Sequence, residues 1–256
     1  MRFLRSDSRS TLYCFSPPVM LFTFLLEFTF GLYILVRGKL RTSTVIIIAL
    51  LVSLGIFQLA EFQVCAGERT LAWMQLGYAS ITLLPPLGIH LVTLVTKRQP
   101  VRNLGYILAA GFMAYFLISA HTLNQATCGG NYILVNTNDV VAARLFPLYY
   151  FSTLFIAIVD MIHYTRTHPE RSSAAVNRML YWLLGGYAAF LIPSSTVYFM
   201  SPSIQAGLPS IMCGFAIFLA IILTLRVYPL CRELEDAPEG WLSAGVLQPE
   251  EVMADN

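Results

Sequence analysis

Hydrophobic positions along this chain gather in long runs separated by short polar or basic stretches. A hydrocarbon core about 30 Å thick takes about twenty apolar residues per helix. Seven segments reach that length: Pro17–Val36, Thr44–Val64, Leu71–Thr96, Leu104–Asn124, Leu145–Tyr164, Met179–Met200 and Leu208–Tyr228. Pro17-Pro18 and Pro209 fit first helical turns, where the missing N–H is not needed, and Pro229 fits the close of the last segment. The pattern predicts an all-α polytopic membrane protein of seven transmembrane helices. Two helices carry internal breakers. Leu84-Pro-Pro-Leu-Gly-Ile-His90 interrupts the third near its midpoint, and Pro193, preceded by Gly185-Gly186, interrupts the sixth. Each break frees backbone carbonyls that need other partners, and serves as a hinge or as a kink that shapes packing.

Composition agrees with a bilayer setting. Of the 256 residues, 57% are hydrophobic and 12% charged, against roughly a quarter charged in an average soluble domain. A net charge of +2 without a basic face excludes nucleic acid as a partner. The basic stretch Met1–Ser10 precedes an apolar run that no small-residue cleavage site follows, so it reads as the approach to a retained first span rather than a signal peptide.

The basic residues set the orientation. Of sixteen Lys and Arg, eleven fall in one set of alternate loops: Arg37, Lys39, Arg41, Lys97, Arg98, Arg102, Arg166, Arg171, Arg178, Arg226 and Arg232. The remaining five are Arg2, Arg5, Arg9, Arg69 and Arg144. The positive-inside rule then places the amino terminus outside and the carboxyl terminus in the cytoplasm of a multi-pass cell-membrane protein, against the pull of the arginines in the outer tail. The expected organisation is an outer tail over residues 1–16, a transmembrane domain over 17–229, and a disordered acidic cytoplasmic tail over 230–256. No soluble catalytic domain and no internal repeat is expected.

Five cysteines are present, and two of them meet the outer surface on this topology: Cys65 at the end of the second helix and Cys128 in the long outer loop Gln125–Arg144. A Cys65–Cys128 disulfide would tie that loop over the bundle; the alternative is two unrelated interfacial residues.

A carboxylate within an apolar run costs a few kcal/mol and usually faces a partner, a cavity or water, so Glu61 is the first functional candidate. Leu54, Gln58 and Cys65 share its helical face, and Gln75, Tyr78 and Thr82 make a polar stripe on the third helix. With His121, Tyr149, Tyr150 and Tyr198 at comparable depth, these residues predict an outward-opening polar and aromatic pocket for a small ligand. The structural alternative is an interfacial aromatic belt with polar packing glue. Glu27, near the middle of the first helix, is either a proton relay or a protonated structural residue. His90, Asp160 and His163 collect near the inner surface and are the residue types of a zinc ligand set, although headgroup-zone residues account for them equally. No cofactor is expected. The only lysines, Lys39 and Lys97, lie in inner loops, which excludes a retinal Schiff base in the last helix, and no Ser or Cys nucleophile sits beside a base in a recognisable motif.

The seven-span layout, with its basic first inner loop and Trp73-Met-Gln-Leu-Gly-Tyr running into Leu83-Leu-Pro-Pro-Leu-Gly, resembles the seven-helix sensory regions at the amino end of some bacterial histidine kinases. It also resembles a group of small prokaryotic multipass proteins with a Leu-Ala-Glu…Cys and Leu-Pro-Pro-Leu-Gly-Ile-His pattern. The likeness covers chiefly Thr44–Thr96. It implies a non-enzymatic sensor or receptor in the bilayer, binding a small molecule or lipid, with output through a separate cytoplasmic signalling partner. The alternatives are a proton-coupled transporter using Glu27 and Glu61, and a membrane-embedded enzyme using the inner His and Asp residues.

Overall fold

The computed structural model describes residues 17–67, 71–97, 99–119, 123, 126–128, 133–135, 139–167, 174–200 and 208–236. The chain forms helices α1 (Pro17–Arg37), α2 (Thr42–Ala66), α3 (Leu71–Thr82), α4 (Leu84–Thr96) and α5 (Gln99–Ile118). Strands β1 (Ala126–Cys128) and β2 (Ile133–Val135) come next, then a π-helical turn (Val141–Leu145) leading into α6 (Phe146–Thr167) and α7 (Ala174–Met200). The last span runs through α8 (Leu208–Ile222), a second π-helical turn (Leu223–Val227) and α9 (Tyr228–Asp236). Seven helical stretches are long and apolar enough to cross a membrane, with α3 and α4 together forming the third.

The third span and α2 form the centre of the bundle, with 78% and 61% of their apolar windows buried, whereas α1 and α5 form the rim with 28% and 17%. The rim helices turn large side chains outward, among them Phe22, Leu25 and Phe28 on α1 and Ile107 and Ile118 on α5. In lipid this is the favourable arrangement, because an outward Leu or Phe loses nothing against acyl chains. Helix α2 packs against α1, α3, α4, α8, α9 and the β-hairpin. It ends at Gly67, whose φ of 110° is the left-handed conformation that closes helices and favours glycine.

Several elements depart from the pattern read in the sequence. The fourth span is Gln99–Ile118 rather than Leu104–Asn124. Pro100 stands in the first turn of α5, just after Lys97 has ended α4 with a φ of 60°, so backbone chemistry starts the helix before apolarity does. The fifth helical stretch starts before Leu145: Asp139 caps it, accepting the amide of Val141 at 2.7 Å, and Tyr115 donates its hydroxyl to the same carboxylate. Between α5 and the first π-helical turn an antiparallel hairpin pairs Ala126 with Val135 and Cys128 with Ile133, forming the only strands among the described residues.

Pro229 does not close the last span. The preceding π-helical turn widens the backbone where proline removes a donor, and helix continues to Asp236. Residues 230–236 are therefore ordered helix rather than tail. Cys231 and Leu234 are buried, and the acidic end docks where α1 turns into α2, with Arg41 2.6 Å from Asp236 and the Ser43 hydroxyl donating to Glu235 at 2.7 Å.

Candidate functional site

Helices α1 and α2 run antiparallel in close contact, and Gly55 of α2 lies opposite Glu27 of α1. A Cβ added there would lie 3.4 Å from the Phe24 ring and 3.9 Å from the Glu27 Cβ, so any larger side chain at Gly55 would meet α1 at the level of Glu27. Glu27 is fully buried against α2, and neither of its carboxyl oxygens has a hydrogen-bond partner. About 9 Å further along α2 toward its C-terminal end, Glu61 is 1% exposed and within electrostatic reach of Glu27. One Glu61 oxygen is unpartnered, and the carboxyl is hydrogen-bonded by Ser210 of α8. Between the two levels lies Gln58, 2% exposed, with its Nε2 unpartnered.

The orphaned atoms lie on α1 and α2, both of which pack against α8, and Cys213 is buried one turn beyond Ser210 on α8. Buried polar atoms without partners are rare in folded proteins, and a buried ionised carboxylate is rarer still. Two carboxyls within electrostatic reach, with no cation beside either among the described residues, are compatible with the bilayer interior when they carry a proton.

Only part of the sequence-derived pocket is assembled around this pair. Glu61 and Tyr78 share a cavity of about 10 Å³ with Phe57, Trp73, Met74, Pro209 and Ser210. That is room for about one water, far from the hundreds of Å³ of a small-molecule site. Gln75 turns away and donates to the carbonyls of Phe116 and Leu117 at 3.2 and 2.8 Å, closing the end of α5. Thr82 and Tyr149 belong to the helix break: the Thr82 hydroxyl donates to the Tyr78 carbonyl, and Tyr149 donates to the Thr82 carbonyl. Tyr150 lines a separate apolar cavity of about 30 Å³ with Gly88, Tyr187 and Cys213. Aromatic rings fill the space expected to be open: Tyr78 packs on Phe116 and Phe146 at 5.0 and 6.0 Å between centroids, and Phe112 packs on Tyr149 at 4.9 Å. His121 and the side chain of Tyr198 lie outside the described residues.

His90, Asp160 and His163 do not come together as a metal centre. The His90 Nδ1 is 2.9 Å from the Tyr106 hydroxyl, Asp160 accepts the Thr96 hydroxyl at 2.6 Å, and His163 is exposed. Among the described residues no three metal-ligating side chains come together. His90 and Asp160 have each found a local partner, the usual outcome for polar residues at a membrane surface.

Cys65 is disulfide-bonded, while Cys213 and Cys231 are free thiols. The strand that carries Cys128 lies against α2, and the Cys128 side chain itself lies outside the described residues.

Ser210 and Cys213 were missed by sequence reasoning. A signal was present: Pro209-Ser210 opens the last span, and position 213 falls one turn on, so both residues share one face of α8. What the sequence lacks is the statement that this face meets α2. No protein-family model, curated protein or solved structure matches this chain, so the reading of the site rests on its own residues and geometry.

Proposed function

We propose that this chain is a proton-responsive sensor of the cell membrane, with the Glu27–Glu61 pair as its sensing element. The observation that carries the reading is the set of orphaned atoms on Glu27, Gln58 and Glu61, buried where α1, α2 and α8 meet. With a proton on the pair, the three helices close as observed. Without it, two carboxylates lie buried in one apolar interior, a state relieved by separating α1 from α2 and α8 or by admitting water at the Ser210 cavity. The ligand is therefore a proton rather than a larger molecule, and helix movement is its output to a separate cytoplasmic partner.

The orientation belongs to the same proposal: amino terminus outside, carboxyl terminus in the cytoplasm. Eleven of the sixteen basic residues support it, and a disulfide at Cys65 fits an outer, oxidising side for that end of α2. A proton-coupled transporter is the second reading, favoured by the broken third span.

The test places spin labels at two exposed positions, Phe22 on α1 and Phe218 on α8, in reconstituted protein at a series of pH values. The interlabel distance is expected to change with pH in the parent protein and to stay fixed in the Glu27→Gln, Glu61→Gln variant. An unchanged distance across the range overturns the sensor, and pH-dye flux in the same vesicles identifies the transporter.

A further inference from the structure

On the lipid-facing side of the bundle, α1 and the end of the last span leave a groove of about 720 Å³ between them. Its walls are Thr29, Phe30 and Tyr33 of α1 opposite Thr224, Leu225 and Tyr228. Both threonines turn their hydroxyls onto their own helices, Thr29 to the Leu25 carbonyl at 2.6 Å and Thr224 to the Ala220 carbonyl at 2.9 Å. Their hydroxyls are thereby satisfied, and Phe30 and Leu225 supply apolar wall.

One end is polar. Arg232 and Asp236 line it, and Tyr33 and Arg37 follow Thr29 at four-residue intervals on one face of α1. From Thr29 to Arg37 the helix rises about 12 Å, the depth from the hydrocarbon to the headgroup zone. Arg41 is shared between Asp236 at 2.6 Å and Glu235 at 3.6 Å, whereas the Arg232 guanidinium rests over the Tyr228 ring at 6.0 Å and makes no ion pair among the described residues. Tyr228 is 4% exposed, and its hydroxyl is buried without a hydrogen-bond partner, beneath the α1–α2 turn at Gly38.

We infer that this groove is a binding site for one anionic phospholipid of the adjacent leaflet, with its phosphate on Arg232 and an acyl chain between Phe30 and Leu225. Size, polarity gradient and charge select this occupant. The volume is that of a ligand site. An arginine without an ion pair at the headgroup level of an interhelical groove recognises a phosphate by charge-assisted hydrogen bonds. A neutral molecule would leave that charge unused, and a soluble anion would leave the apolar wall empty.

The full chain, reconstituted in vesicles of phosphatidylcholine with a minority of phosphatidylglycerol, is extracted into detergent, and the lipid it retains is identified by native mass spectrometry. The parent protein is expected to keep phosphatidylglycerol over phosphatidylcholine. Arg232→Gln should weaken that retention about tenfold, the worth of one charge-assisted contact. Leu225→Trp, which fills the wall without touching the charge, should also release the lipid. Arg166→Gln, an exposed position at the end of α6, should leave retention unchanged. Equal retention of both lipids by the parent protein, or equal loss in Arg232→Gln and Arg166→Gln, means bulk boundary lipid and overturns the site. Melting temperatures of the variants identify any that fail to fold, and Arg232→Gln, at an exposed position, decides the matter by itself.

Discussion

The hydroxyl of Tyr149 donates a 2.9 Å hydrogen bond to the carbonyl of Thr82. That carbonyl is the one Pro86 leaves without its helical donor, because it lies four residues earlier and proline has no N–H. A tyrosine sixty-seven residues away thus replaces the missing backbone bond at the break between α3 and α4. The break is stabilised across the bundle to α6 and reads as a fixed kink.

Tyr149→Phe should therefore lower stability by about 1–3 kcal/mol, the cost of a buried carbonyl left unpaired. Thermal unfolding in detergent measures it. A phenylalanine variant as stable as the parent would show that the carbonyl finds another donor.

Two glycines should respond oppositely to alanine. A methyl group at Gly88 would land on the Tyr187 hydroxyl, whereas at Gly55 it would make ordinary contacts of 3.4 Å and longer. Gly88→Ala is expected to cost about 1–3 kcal/mol by overpacking, and Tyr187→Phe in the same chain should recover much of the loss. Gly55→Ala should be neutral or stabilising by up to about 1 kcal/mol through helix propensity. The reverse order of the two alanines in a melting experiment would contradict the α1–α2 and α4–α7 packing.

The spans were legible in the sequence because length and apolarity are local properties, and the break at Leu83–Pro86 was legible because proline chemistry is local too. The fourth span was misplaced because its polar start, Gln99–Asn103, is helical by virtue of Pro100 and not of apolarity. Within the site, Glu61 stood out as an intramembrane acid, yet Glu27 was read as a separate problem at a separate depth. Their pairing depends on the antiparallel register of α1 on α2 at Gly55, which no residue pattern announces. Gln75 shows the converse: its helical spacing with Tyr78 pointed to the pocket, but the open carbonyls at the end of α5 took its amide.

The disulfide at Cys65 should join it to Cys128. The strand carrying Cys128 packs on α2, and Cys213 and Cys231 are free. Non-reducing peptide mapping should recover the linked pair and lose it equally in Cys65→Ser and Cys128→Ser. Recovery of Cys65 linked to Cys14, or of Cys65 as a free thiol, would refute the pairing.

Glutamine and leucine at Glu61 separate a sensing role from a structural one. Glu61→Gln keeps the Ser210 contact and removes the titratable proton, so the protein should fold with near-parent stability and lose its pH response. Glu61→Leu removes a desolvation cost and should also fold. A leucine variant that still responds to pH would remove Glu61 from the account.

The account rests on a proton held by the Glu27–Glu61 pair within the closed bundle. Infrared difference spectroscopy on reconstituted protein, taken across a pH titration, observes it directly through the carbonyl stretch of a protonated carboxyl. The parent protein should show a buried carboxylic-acid band near neutral pH that disappears on alkalinisation. That band should be lost or shifted in both Glu27→Gln and Glu61→Gln, because the two groups share one site. A spectrum without a carboxylic-acid band at neutral pH, or a band that neither substitution alters, would contradict the central claim.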